Sequence, residues 1–238
     1  MSTTTVYAAT SDGYLTSKHA IYATARSGGT ITVQTANYEH WIDQYLGGGL
    51  YELYATYLAF DTSFVDTDAI SAVRMYAYPE ATYGPVFGSP GPMEVYPYNW
   101  GGTLVIGHWI PGATVAGMTK LASIAAGSFT AGAYRQLTSE AAFAAAINKT
   151  GTTYLYVTFA DFRLGTVPTT EDGYGMYTAN KQGTYAPKLE IDHAPAAGGI
   201  GKLAWWLNAF KWNSDWEPRP DRLIVPKRGG LLLPEPAI

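Results

Sequence analysis

Alternation of apolar and polar positions is clearest from Tyr57 to Tyr78, YLAFDTSFVDTDAISAVRMYAY. Leu58 and Phe60 are two apart and share a strand face. Val73, Met75 and Ala77 do the same, while Arg74, Tyr76 and Tyr78 point away. The short polar side chains of Asp61-Thr62-Ser63 and Asp66-Thr67-Asp68 bond their own backbone and favour a turn. The stretch therefore predicts two half-buried strands joined by a polar loop, in a sheet with one wet face.

Further strands are expected at 4–10, 19–25, 29–36, 51–60, 103–109, 153–159 and 188–191. The segments 19–25 and 29–36 form a hairpin around Ser27-Gly28-Gly29. Met93-Glu94-Val95-Tyr96 is a candidate short strand inside a Pro/Gly-rich insert at 79–101, and 169–174 reads as a turn. The run AAFAAAI is a short helix, with Thr138 or Ser139 as its N-cap, Glu140 at its positive end and Asn148–Gly151 stopping it. Many short strands with Gly/Pro turns and a single small helix predict an all-β fold, a jelly-roll-like antiparallel β-sandwich over 1–193.

The character changes after the linker 194–201. In 202–238 a helix is expected over 202–213, carrying Leu203, Leu207 and Phe210 on one face. Trp205, Ala209, Trp212 and Trp216 fall on the opposite face, and Trp206 lies beside them. A helix apolar on two sides asks for cover on both. Beyond it the chain has five prolines and the apolar steps Leu223-Ile224-Val225 and Leu231-Leu232-Leu233, which read as an extended arm. These residues are expected to anchor the chain on a neighbouring subunit, by adding to a sheet edge; the alternative is a tail folded back on its own domain.

Four stretches, kept in order, resemble the DNRLRE-type β-sandwich domain. They are Asp12-Gly13-Tyr14 with the following YATARSGG, then FDTSFVDTDAISAVRMYAY, Ile147–Gly151, and Tyr185-Ala186-Pro187-Lys188-Leu189-Glu190-Ile191. That family is related to family-96 carbohydrate-binding modules and occurs in bacterial surface proteins and phage structural proteins. The resemblance covers roughly 5–193. It implies the sandwich, makes Asp61 a structural turn acid, and leaves function open.

Charge narrows the partners. The net charge of −4 lacks the basic footprint of a general nucleic-acid binder. Residues 201–238 hold six Lys or Arg against four acids and the remainder nine against fifteen. A basic tail on an acidic body suits docking on an acidic neighbour, although chance would give the same imbalance. Charged residues are 14% of the chain and tyrosines number 19, a composition suited to packing against other subunits. With no cysteine there is no disulfide or metal thiolate. The opening MSTTTVYAATSDGY has neither a basic region nor an apolar run, so no secretion signal is expected. No run spans a bilayer. A protein made in a host cytoplasm and released in a virion fits these features.

Catalytic patterns are sparse. His19, His40, His108 and His193 form no HxxxH or HExxH pair, and His40 beside Glu39 and Asp43 reads as a surface loop. There is no GxSxG, and Gly47-Gly48-Gly49 is followed by no Lys-Ser/Thr. Asp61, Asp66 and Asp68 are a weak calcium candidate and a weaker glycosidase pair beside their turn role. Trp41, Tyr96, Tyr98, Trp100 and Trp109 are candidate glycan-stacking rings, with core packing as the alternative. The expectation is a non-enzymatic phage structural protein without cofactor: a capsid decoration or accessory protein, or a tail-associated part. It would bind itself, a major capsid protein or a tail protein, and no nucleic acid or membrane. The alternative is a carbohydrate-binding adhesion module contacting host-surface glycan.

Overall fold

The computed structural model describes residues 1–195 except Tyr38, Tyr83 and 180–184, together with the backbone of 216–219 and 222–226. The chain divides into two units, Met1–Pro195 and Ala196–Ile238.

The first unit runs β1 (Ser2–Tyr7), β2 (Gly13–His19), α1 (Tyr22–Gly28), β3 (Thr30–Gln34), β4 (Glu39–Gly47), β5 (Leu50–Asp61), β6 (Ala69–Ala77), β7 (Val86–Phe87) and β8 (Met93–Pro97). Then come α2 (Gly112–Val115), β9 (Ala122–Ile124), β10 (Arg135–Gln136), β11 (Thr138–Ser139), α3 (Phe143–Ala146), β12 (Thr152–Phe159), α4 (Ala160–Leu164), β13 (Asp172–Tyr177) and β14 (Lys188–Ala194). Short 3-10 turns lie at Ser63–Val65, Ile106–His108 and Ala126–Ser128.

A four-stranded sheet has the order β1-β14-β6-β10. A larger sheet runs β11-β9-β8-β12-β5-β4-β13-β7, with β2 on β5 and β3 on β2. The strand pairs are antiparallel and the large sheet curls into a half-barrel, which makes an all-β sandwich. No helix among the described residues is long and apolar enough to cross a membrane.

The stretch Tyr57–Tyr78 has the expected strands, but they do not pair with each other: β5 belongs to the large sheet and β6 to the small one. Their connection is an arch between sheets. In β6 the alternation holds, with Val73, Met75 and Ala77 buried and Arg74 and Tyr76 half-exposed. In β5 it vanishes, because Tyr57, Leu58, Ala59 and Phe60 are all buried. That strand is covered on both faces. On one, α1 packs against β2 and β5, and the Tyr57 hydroxyl donates to the His108 carbonyl at 2.7 Å.

Several elements differ from expectation. Residues 22–28 form a helix where the end of the strand 19–25 and the start of the turn at Ser27-Gly28-Gly29 are expected: Tyr22 and Ala25, one helical turn apart, are buried, and alanine favours the helix. The partner of β3 is therefore 13–19. Residues 103–109 form no strand but a 3-10 turn. Thr138 and Ser139 pair with β9 instead of capping, so α3 begins at Phe143 behind Ala142 without a side-chain cap. Asp172–Tyr174 open β13 instead of completing a turn. With α1, α2 and α4 added, the described residues of the first unit form four short helices instead of one.

The arch is fastened at its base. Buried Thr62 places its hydroxyl 2.7 Å from the Asn148 carbonyl, 2.9 Å from the Gly151 carbonyl and 2.7 Å from Thr153 Oγ1. The Asp66 amide donates to Lys149 O at 2.8 Å, and Lys149 Nζ to Asp68 O at 2.7 Å. Two of the four resembling stretches, around Asp61 and around Asn148, thus meet, and another, at Lys188–Ile191, pairs directly with β6. Thr62→Val keeps the shape and removes the hydroxyl, so the buried Thr153 hydroxyl loses its side-chain partner and the Asn148 and Gly151 carbonyls keep only their backbone amide donors. It should cost about 2 kcal/mol, or a fall of about 5 °C in melting temperature. An unchanged melt would show that the arch is held elsewhere.

In the second unit β15 (Trp216–Arg219) and β16 (Arg222–Pro226) form an antiparallel hairpin. Trp216, expected on a helix face, begins a strand. Pro218 supplies no amide donor and disfavours helical geometry at Glu217. Leu223, Ile224 and Val225 lie on β16, paired within their own unit rather than in an unpaired arm. The expected helix 202–213, with Leu203, Trp205, Trp206, Leu207, Phe210 and Trp212, and the step Leu231, Leu232 and Leu233 lie outside the described residues.

Candidate functional site

The candidate glycan rings are not gathered into a platform. Tyr96 on β8, Trp100 and Trp109 are buried. Trp100 meets Tyr154 and Tyr57 edge-on, Trp109 meets Phe162 edge-on, and the Trp109 indole N–H donates to Arg26 O at 3.4 Å. Trp41, on β4, packs against Phe87. These rings cover or extend the core, as large aromatics do when a sheet is roofed on both faces. Tyr98 is different. It is half-buried and, with Tyr154, Asn99, Asn148 and Thr152, lines a hollow of about 220 Å³.

The three loop acids serve separate contacts. Asp61 accepts from the Ser63 amide at 3.1 Å and the Ser63 hydroxyl at 2.7 Å, which hold its carboxyl below the usual range and make it the turn acid. Asp66 is exposed with φ of 46°. Asp68 Oδ2 lies 2.6 Å from His193 Nδ1, and His193 Nε2 lies 2.9 Å from Thr4 Oγ1. This acid–imidazole–hydroxyl chain ties β1, β14 and the end of the arch together. Among the described residues no group of three or more acid or imidazole side chains could hold a metal ion.

His40 is not on a surface loop. It sits fully buried on β4, opposite Met176, because the half-barrel curls over it. Its Nε2 is 4.0 Å from Asp12 Oδ1, and the Tyr14 ring meets it edge-on. Among the described residues both His40 nitrogens and Asp12 Oδ1 lack a hydrogen-bond partner. Burial lowers the imidazole to about 3 and raises the Asp12 carboxyl to about 7. Asp43, also on β4, is raised to about 8 by burial and then by the Glu171 carboxyl beside it.

Surface chemistry of another kind gathers on the outer face of the four-stranded sheet. Register places Tyr7, Lys188 and Tyr76 side by side across β1, β14 and β6. The Lys188 ammonium sits 4.6 Å from the Tyr76 ring centre and 5.1 Å from that of Tyr134. It also reaches Glu190 Oε1 at 2.8 Å, and the Tyr76 hydroxyl donates to Glu190 Oε2 at 2.9 Å. Arg74 grips both oxygens of Asp192 at 2.8 Å and holds that carboxyl down to about 2. Tyr134 donates to Ala186 O, and its ring meets Tyr78 edge-on at 5.2 Å; Tyr78 also meets Tyr185 at 4.6 Å. Tyr7 remains 49% exposed. The result is a tyrosine sheet face whose rings are fixed by neighbours and whose charges are paired internally. Such a face presents large contact area at low ordering cost. In the sequence only Arg74, Tyr76 and Tyr78 could be read as outward; Tyr7 joins them through strand register, and Tyr134 and Tyr185, which lie outside the strands, through ring contacts with Tyr78.

Comparison with known proteins supplies no family. A scan of protein-family models and a search of curated proteins both found no match.

Proposed function

We propose that the chain is a non-enzymatic building block of a tailed-phage virion, a capsid decoration or accessory protein or a tail-associated part. The sandwich is the displayed body. Its tyrosine face meets a neighbouring copy or another virion protein, and residues 202–238 provide the anchor. The single observation that carries this reading is the outer face built from Tyr7, Tyr76, Tyr134 and Lys188. Tyrosine is enriched at protein interfaces, and charges already neutralised within a face need not be matched by the partner. The ordered stretches that resemble the DNRLRE-type domain agree with it.

The test compares the full chain with one ending at Pro195, the limit of the first compact unit. The shortened chain should melt cooperatively as a folded body yet be missing from purified particles in which the full chain is found. Tyr7→Ser should reduce incorporation without altering the melt. Absence of the full chain from particles, or undiminished incorporation of the shortened one, would overturn the reading. The carbohydrate-binding alternative rests on the hollow lined by Tyr98, Tyr154, Asn99 and Asn148. It requires Tyr98→Ala to abolish glycan binding that survives loss of 196–238.

A further inference from the structure

We infer that the seam between the two sheets carries a binding site for a small oxyanion, a phosphate, sulfate or carboxylate, held by Arg135 with Ser123, Ser128 and Thr138. The seam arises from the chain path. β10 pairs with β6 of the small sheet, while β11, one residue later, pairs with β9 of the large one. Under this crossing lies a hollow of about 430 Å³, bounded by Pro92, the end of β9 and the 3-10 turn that follows it. That volume lies within the range of small-molecule sites.

The polar lining is rich in donors and has no carboxylate. It consists of Arg135, Gln136, Thr138, Ser123 and Ser128. Arg135 donates from Nε to Thr130 O at 2.7 Å and from Nη2 to Ala131 O at 3.2 Å, which fixes the guanidinium plane. Among the described residues Nη1 has no acceptor and no acid pairs with this side chain. Arg74 and Arg163, by contrast, are each closed by carboxylates. Ser123 and Thr138 are directly opposite in the ladder, so their Cβ atoms are about 5 Å apart, and neither hydroxyl is engaged by a described residue. An oriented positive charge beside idle hydroxyls matches an anion with several acceptor oxygens. A cation meets the like charge of Arg135 and no carboxylate there, and a neutral molecule leaves that charge unanswered.

The chain's net charge of −4 opposes anion approach, so affinity should be modest, with Kd on the order of 1 mM and weakening as salt rises. The test is a titration of the full chain, followed by amide NMR shifts at constant ionic strength. Inorganic phosphate, glucuronate and glucose are the probes. Saturable shifts at Ser123, Ser128 and Thr138 with phosphate or glucuronate, and none with glucose, are expected. Phosphate alone would mark a free inorganic anion, and glucuronate alone a sugar-borne carboxylate. Arg135→Gln should weaken binding at least about tenfold. Because this change also frees the Thr130 and Ala131 carbonyls, Ser123→Ala with Thr138→Val is the second variant, expected to lose about threefold with Arg135 in place. No saturable shift with either anion, equal binding of glucose, or unchanged affinity in both variants would overturn the inference.

Discussion

Arg163→Met should lower the stability of the sandwich by about 3 kcal/mol, seen as a fall of roughly 6–12 °C in melting temperature. The reason is the carboxylate it would abandon. Glu94 lies on β8 with its side chain only 4% exposed, and Arg163 closes on it from α4 with Nε at 2.8 Å from Oε2 and Nη2 at 3.1 Å from Oε1. The Tyr96 hydroxyl donates to the same Oε2 at 2.7 Å, while Lys120 stands 4.0 Å from Oε1 and 3.6 Å from Glu140. Without Arg163 the carboxylate keeps one hydroxyl donor and a distant ammonium in a site shielded from water. A buried charge left in that state is costly, whereas an intact pair adds little over an apolar replacement. Two comparisons separate these effects. Glu94→Gln should cost less than Arg163→Met, because the Arg163 side chain is 27% exposed and can turn to solvent. The double variant should be more stable than the sum of the singles implies, since no charge remains unpaired. Simple additivity would mean that the two side chains act independently, and the account would fail.

How far the sequence could be read follows from the same burial pattern. β6 was legible because one face is wet and the other dry, so Val73, Met75 and Ala77 stand out against Arg74 and Tyr76. β12 was legible as a β-branched and aromatic run of the right length, and Met93–Tyr96 as a short run between prolines. Around the large sheet the signal fails. The alternation misleads at two places: 19–25 reads as a strand, but Tyr22 and Ala25 are buried one helical turn apart on a helix otherwise exposed or half-buried, and 103–109 reads as a strand, but Val105 and Ile106 are exposed at a 3-10 turn. The surface site was hidden for a different reason. Tyr7, Tyr76 and Tyr134 belong to separate segments; the register of β1 and β6 against β14, fixed over long loops, brings the first two together, and the pairing of β10 with β6 carries Tyr134 in beside them. The Asp68–His193 contact spans 125 residues and leaves no local spacing to detect. Arg135 carried no motif, and its isolation from acids exists only in the folded chain. Trp216 illustrates local competition: its apolar spacing continued a helical face, but Pro218 prevailed and the chain became a strand.

Asp12→Asn should make the protein more stable at pH 8 than at pH 4 relative to the native chain, by on the order of 3–4 kcal/mol. The native carboxyl, raised to about 7 from an ordinary 3.8, keeps a proton that the unfolded chain has already released. Its contribution is therefore favourable below pH 4 and is lost as pH climbs to 7. Asparagine never meets that penalty. His40 works in the opposite sense. Held down to about 3, it refuses a proton that the unfolded chain accepts near 6.5, so stability drains away as pH falls from 6.5 to 3. Between about pH 4 and 6.5 the two slopes cancel, because the folded pair AspH/His and the unfolded pair Asp⁻/HisH⁺ carry the same number of protons. His40→Gln should accordingly gain stability over the native chain at pH 3.5 and little at pH 7, the mirror image of Asp12→Asn. Asp43, raised to about 8, adds a further decline with rising pH that persists in both variants and disappears from the differences. Denaturant midpoints of the three chains, measured from pH 3.5 to 8.5 in half-unit steps, check the prediction. Parallel curves would mean that the buried pair is ionised and water-solvated in the folded protein, and that the curl of β4 over Asp12 does not exclude water as the geometry requires.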